Sequence, residues 1–161
     1  MGRRLAIILG ILALAAGAEA RTATGYVAGE KTTIKIVDVG GKDVEVKTAK
    51  AFRAMQKAAR RAGVTLSIRS GYRSFKKQAK LYKEYRRGVG NLAAPPGFSN
   101  HESGRALDLY VSDHHAYDWL REHGATYGFH RTVPGEAWHW EYLGDEARPV
   151  ARPSRREHRS S

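Results

Sequence analysis

The 161-residue chain contains no cysteine. A disulfide framework is therefore excluded, and so is a lipid anchor attached through a thiol. Also missing is an apolar run long enough to span a bilayer. The longest, Leu5 to Ala16, is about a dozen residues, against the roughly 20 that a spanning helix needs. Acidic residues are scarce, 16 against 28 basic ones, giving a net charge of +12 and a pI near 10.2. Such a balance suits an anionic partner, whether nucleic acid, anionic lipid or an acidic wall polymer, and charge alone does not choose among them. No internal repeat is present.

What remains is a globular composition, 42% hydrophobic and 27% charged, in a length that suits one domain with its own core. At the N-terminus, Arg3 and Arg4 precede the apolar run, and Ala18-Glu19-Ala20 closes it. A short basic region, an apolar core and a small-x-small site together read as a secretory signal peptide over residues 1–20. The expected protein is then secreted, periplasmic or associated with the cell wall, without stable membrane insertion once the signal is removed. Export also argues against nucleic acid as the partner. Without disulfides, stability must come from the core or from a metal.

The expected organisation is a domain over 21–147 and a basic flexible tail over 148–161. After a polar lead-in at 21–29, a hairpin is predicted over 32–47 about Gly40-Gly41. In it, Ile34 and Ile36 are expected to share a face with Val44 and Val46, with a bulge or a change of buried face near the turn. Thr48 is the expected N-cap of a helix carrying Phe52 and Met55, with Gly63 past its end. "VTLSIRS" reads as a strand, Ser74 as the cap of a helix through Tyr85, and 88–99 as an irregular loop. "RALDLYV" reads as a strand, Tyr117 to His123 as a helix, Gly128-Phe129 as a turn, and "WHWEYL" as a last strand. Without regular strand–helix alternation, the fold class is α+β, a small antiparallel sheet with helices packed on it.

Strand alternation places Leu107 and Leu109 on the core face of "RALDLY" and Asp108 on the other. His101 lies in the loop just before, with Ser103 and Gly104 allowing a tight bend back over the strand. In "PGEAWHWEY", His139 faces away from Trp138 and Trp140, which are expected in the core. It can therefore stand beside Asp108 if the two strands are neighbours. Glu136 falls on the wrong face of an extended strand, so Pro134-Gly135 must bend the chain there. Two histidines and a carboxylate make a three-ligand zinc site with an open position, and Glu136 is placed as a proton acceptor beside it.

The joint pattern of "SGYRS" (70–74), Gln78, "PPGFSNHESGRALDL" (95–109) and "GEAWHWEY" (135–142) resembles the VanY-type D-alanyl-D-alanine carboxypeptidases, zinc peptidases with a hedgehog-like fold. The resemblance implies His101, Asp108 and His139 as Zn(2+) ligands and Glu136 as general base. It implies Arg73 as a substrate contact that stabilises the transition state, and Ser99 and Gln78 as substrate-site residues. Ala137 stands where the family usually has proline, which is expected to relax the bend without abolishing activity. The implied activity is removal of the terminal D-amino acid of peptidoglycan stem peptides by a monomer whose partner is peptidoglycan or a muropeptide. L,D-carboxypeptidase or endopeptidase action stays open, with the discriminating cleft walls expected at 86–98 and 126–135. A non-catalytic zinc-containing wall-binding module also stays open, although Glu136 argues against it.

Overall fold

The computed structural model describes residues 19–111 and 114–144. The expected signal peptide up to residue 18, and the expected tail from 148 onward, lie outside the described residues. No helix among the described residues is long and apolar enough to cross a membrane.

Two antiparallel sheets organise the chain. In the first, Arg21–Val27 (β1) pairs with Glu30–Asp38 (β2) along its whole length, from Arg21 opposite Ile36 to Val27 opposite Glu30. The expected polar lead-in is thus a strand. Its threonines, tyrosine and valine favour extended backbone, yet only Gly25 is fully buried, so no apolar alternation announces it. Asp43–Glu45 (β3) completes this sheet, across the turn that Gly40 and Gly41 make with φ of 63° and 78°. The register puts Val37 opposite Val44. Val44 therefore shares its face with Val37 and Val39 rather than with Ile34 and Ile36, and Val46 has left the strand altogether. The change of buried face is real: neighbours Ile36 and Val37 are both buried.

The first helix, Val46–Arg61 (α1), begins earlier than the sequence suggests. Its cap is Glu45, not Thr48: the Glu45 carboxylate accepts from the Thr48 backbone N–H at 2.9 Å and from its hydroxyl at 3.0 Å. Thr48 is itself buried, together with Ala49, Phe52, Met55 and Ala59, a stripe at helical spacing. Gly63, at φ 75°, follows the end as expected.

The second sheet carries the site. Ile68–Ser70 (β4), Ala106–Leu109 (β5), Phe129–His130 (β6) and His139–Tyr142 (β7) lie in the order β4-β5-β7-β6. The strand expected over "VTLSIRS" is regular only in its last three residues, and the expected turn at Gly128-Phe129 runs directly into β6. Phe75–Arg86 (α2) starts at Ser74, whose Oγ accepts from the Lys77 N–H. His114–His123 (α3) takes in His114 and His115 as its first turn and runs into a 3-10 turn at Gly124–Tyr127. Helices α1 and α3 cover one face of this sheet. Phe52, Met55 and Leu120 meet Leu107, Leu109, Phe129 and Trp140 in one buried cluster, with Phe52 edge-on to Phe129 at 6.3 Å.

Where the sheets meet, backbone touches backbone. Tyr72 N–H donates to Asp43 O at 2.6 Å, and a Cβ on Gly71 would lie 2.3 Å from that same oxygen. The first sheet also grips the segment 97–104: Tyr26 N–H donates to Glu102 O, Gly29 N–H to Gly97 O, and Glu45 N–H to Gly104 O. Phe52→Ala should cost about 3–5 kcal/mol in urea unfolding, because a fully buried ring leaves a cavity. Gly71→Ala should be costlier than Gly40→Ala, whose new Cβ meets nothing and adds only about 1–2 kcal/mol of left-handed strain. Equal losses in the two glycine variants would contradict the close approach at Gly71.

Candidate metal centre and the cleft around it

Strand pairing creates the centre. Asp108 on β5 is the direct cross-strand partner of His139 on β7, so their side chains rise from the same face. On the other side of β5, Ser70 opposes Asp108. His101 arrives from the turn that precedes β5. There Gly104, at φ 72°, donates to His101 O, and the Arg105 and Ala106 N–H groups both return to Asn100 O at 3.0 Å. A side chain on Gly104 would strike Glu45, so the reversal needs glycine for space as well as for its backbone angle.

These elements bring His101, Asp108 and His139 together, all buried, with ligand atoms within 4.8 Å of one another. Asp108 Oδ1 lies 3.3 Å from both His101 Nε2 and His139 Nδ1. Each imidazole is held by its far nitrogen. His101 Nδ1 is 2.8 Å from Gly71 O, a carbonyl that can only accept, so Nε2 keeps its lone pair for the centre. His139 is turned the other way, with Nε2 2.9 Å from Glu141 Oε1 and Nδ1 facing Asp108.

Burial works against charge on this triad, and the pairing overcomes it. Burial alone would raise the Asp108 carboxyl, yet the two imidazoles hold it far below the usual carboxylate range. Burial alone would lower His139, yet Asp108 and Glu141 push it up to about 9. The donor set fits zinc: two imidazole nitrogens and one carboxylate oxygen, three protein ligands with one side open to a cleft.

Around the triad, Glu136 sits in the bend that Pro134-Gly135 lead into, closed by Glu136 N–H to Val133 O and His139 N–H to Glu136 O, both at 3.3 Å. The bend therefore forms with Ala137 in place. The Glu136 carboxylate is 3.9 Å from His139 Nδ1 and partly open to solvent. Arg73 lies on the opposite side, its guanidinium 3.6 Å from Asp108 Oδ2. Burial draws its pKa down while the Asp108, Glu102 and Glu136 charges oppose that. Its Nε is buried with no partner among the described residues. Gln78 is fully buried and spends both ends of its amide within the chain: Oε1 accepts from Arg73 Nη1 at 2.9 Å, and Nε2 donates to Ala94 O at 2.7 Å. Ser99, nearly buried, lines the cleft and accepts from the His101 N–H at 3.3 Å.

The cleft holds about 1380 Å³ and runs from the triad past Arg73 to the end of α2. One wall is 88–95 with Phe98, as expected; of the expected 126–135 wall only Val133 lines it, with Glu136 and Trp138 continuing. The tryptophans part company: Trp140 is in the core, whereas Trp138 lines the cleft with the Arg69 guanidinium 5.3 Å from its ring. Sequence reasoning missed three supporting residues. Glu141 shares its strand face with His139 and was findable from the period of two. Asn100, whose Nδ2 donates to Glu141 Oε2, was not, because that contact spans 41 positions. Glu102 was read as loop, yet it is fully buried. Its Oε2 accepts from the Gly97 and Ser99 N–H groups, and burial raises its pKa.

Comparison with known proteins agrees with this geometry. Residues 41–145, more than half of the chain, match the VanY family, described as D-alanyl-D-alanine carboxypeptidase. A D-alanyl-D-alanine carboxypeptidase of Enterococcus faecalis is 27% identical over 136 residues, 66% of this chain and 51% of that enzyme. This chain therefore spans about half the length of that curated relative. Among solved structures, the vancomycin-resistance D,D-pentapeptidase VanY (E175A mutant, with Zn(II)) superposes at a TM-score of 0.60 with 26% identity, over 71% of this chain and 81% of that one. The LD-carboxypeptidase LdcB superposes at 0.55 with 27% identity, over 78% and 87%. The mixed fold, the buried His–Asp–His cluster and the extent of the match lead to one conclusion: this chain belongs to the VanY family of D-alanyl-D-alanine carboxypeptidases.

Proposed function

We propose that the chain is a zinc-dependent carboxypeptidase that releases the terminal D-amino acid from peptidoglycan stem peptides. The observation that carries this reading is the convergence of His101, Asp108 and His139 on one point, with the Glu136 carboxylate beside it and a cleft in front. His101 Nε2, an Asp108 oxygen and His139 Nδ1 would hold the ion. Bound there, zinc supplies Lewis acidity and makes a water nucleophilic near neutral pH.

The chain's own residues do the rest. Glu136 accepts a proton from the attacking water and returns it to the departing amine, a shuttle that needs a carboxylate partly open to the cleft. Arg73 stabilises the charge that develops on the scissile carbonyl oxygen. Its unpartnered buried Nε–H suits this role, because a donor left without an acceptor costs about 1–3 kcal/mol until substrate arrives. Gln78, with both amide ends engaged, serves the site by holding Arg73 against the 88–98 wall, and Ser99 steadies the backbone that carries His101. The volume of the cleft, about 1380 Å³, suits a stem peptide rather than a free dipeptide.

The basic composition suits an acidic wall, and residues 1–20 fit an export signal, so the mature protein acts on peptidoglycan outside the cytoplasm. Intact-mass measurement of the exported protein should show loss of residues 1–20; an uncleaved chain contradicts the signal. Mass spectrometry of muropeptides should show a single amino acid released, whereas two peptide fragments would mean an endopeptidase. Glu136→Gln should lower kcat by about 10²–10⁴-fold with zinc content unchanged, and full activity would reject the base. Gln78→Ala should lower kcat/KM roughly 10- to 100-fold by letting Arg73 drift, with the zinc content again unchanged.

A further inference from the structure

Glu141 stands two residues beyond His139 on β7, on the same strand face. Its carboxylate is nearly buried and both oxygens are used: Oε1 lies 2.9 Å from His139 Nε2, and Oε2 accepts from Asn100 Nδ2 at 2.9 Å. Asn100 directly precedes His101. Its backbone is fixed, since its carbonyl accepts from the Arg105 and Ala106 N–H groups and from Ser103 Oγ. One carboxylate thus ties the turn that carries the first histidine to the strand that carries the second.

We propose that Asn100 and Glu141 form a brace that fixes the tautomer and tilt of the His139 ring, and so sets how tightly the centre holds its metal. The inference rests on the reading of His101, Asp108 and His139 as ligands. A neutral imidazole has one N–H, and a carboxylate can only accept. Glu141 therefore claims that hydrogen at Nε2, and Nδ1 is left to present its lone pair beside Asp108. Without this acceptor, a half-turn of the ring would put the wrong nitrogen toward the centre. Glu141 alone could not hold the ring, because its side chain has several free torsions; hydrogen bonds from the Asn100 and Thr132 side chains restrain them. The two histidines are braced unequally. His101 leans on a neutral backbone carbonyl at Gly71, whereas His139 leans on a charged group, which makes it the more basic ligand of the pair.

The test is zinc affinity, measured by competition with a chromogenic chelator, beside the melting temperature of the metal-free protein. Two-bond 1H–15N spectra of the histidine rings in the zinc-loaded protein add a direct view of the tautomer. Glu141→Ala should weaken zinc about 10- to 100-fold and lose the Nε2–H signature of His139. Glu141→Gln keeps an accepting oxygen of the same shape, so it should preserve the tautomer and weaken zinc by less than Glu141→Ala. Asn100→Ala should fall between Glu141→Gln and Glu141→Ala. Wild-type zinc affinity in Glu141→Ala overturns the brace while leaving the metal centre intact. An affinity loss that merely follows a fall in metal-free melting temperature across all three variants overturns it as well, by making the contact structural. Failure of the unaltered protein to take zinc, with His139→Ala no different from it, overturns the brace and the reading beneath it together.

Discussion

One carboxylate between two imidazoles is the constraint on which the rest of the structure depends. Asp108 is buried in one of the two inner strands of a four-stranded sheet, where an isolated charge would be costly. It is tolerated because His139 is its direct cross-strand partner and His101 folds back over it, each 3.3 Å away. Remove either histidine and the carboxylate keeps only the other imidazole and the Arg73 guanidinium, 3.6 Å away, to offset its charge. Bring a divalent ion to the same point and the charge is neutralised better than by the side-chain pairing alone. The protein therefore carries a cluster that is satisfied without metal and better satisfied with it, which couples binding to stability.

The scaffold serves that point from two sides. The second sheet supplies Asp108 and His139 through strand register alone, which leaves little freedom in their spacing. The turn 97–104 has no such register, and the first sheet compensates by gripping it with backbone hydrogen bonds from Tyr26, Gly29 and Glu45. Strands β1 and β2 both precede the segment that matches the family, residues 41–145. The N-terminal hairpin thus adds support to the turn that carries His101, and Tyr72 reinforces it by donating its hydroxyl to Thr24 O at 2.6 Å. On the far wall, Gln78 performs a similar service for Arg73.

What could be read from the sequence, and what could not, follows from the range of the interactions. His101, Asp108 and His139 were legible because strand periodicity and a glycine-bearing bend are local, and the joint motif pattern linked segments that periodicity could not. The core faces of α1 and β5 were legible for the same reason. Strand β1 was not, because its partner contacts are backbone hydrogen bonds and a buried glycine, neither of which leaves an apolar pattern. The cap of α1 was misplaced by one turn: Thr48 has the better side chain for capping, but Glu45 accepts from it, so the threonine becomes part of the first turn. Gln78 was placed at the cleft correctly in position, while its engagement with Arg73 and Ala94 depends on how α2 meets the loop beyond it. The grouping of Val44 with Ile36 failed because the Gly40-Gly41 turn sets a register that composition does not reveal.

The central claim is that three side chains from two strands and one turn share a single ion. Anomalous diffraction at the zinc edge, on crystals of the zinc-loaded protein, tests it most directly. A single peak bonded to His101 Nε2, an Asp108 oxygen and His139 Nδ1 is the predicted result. A peak elsewhere, or a zinc-loaded crystal in which these three side chains stay bonded only to one another, would contradict it.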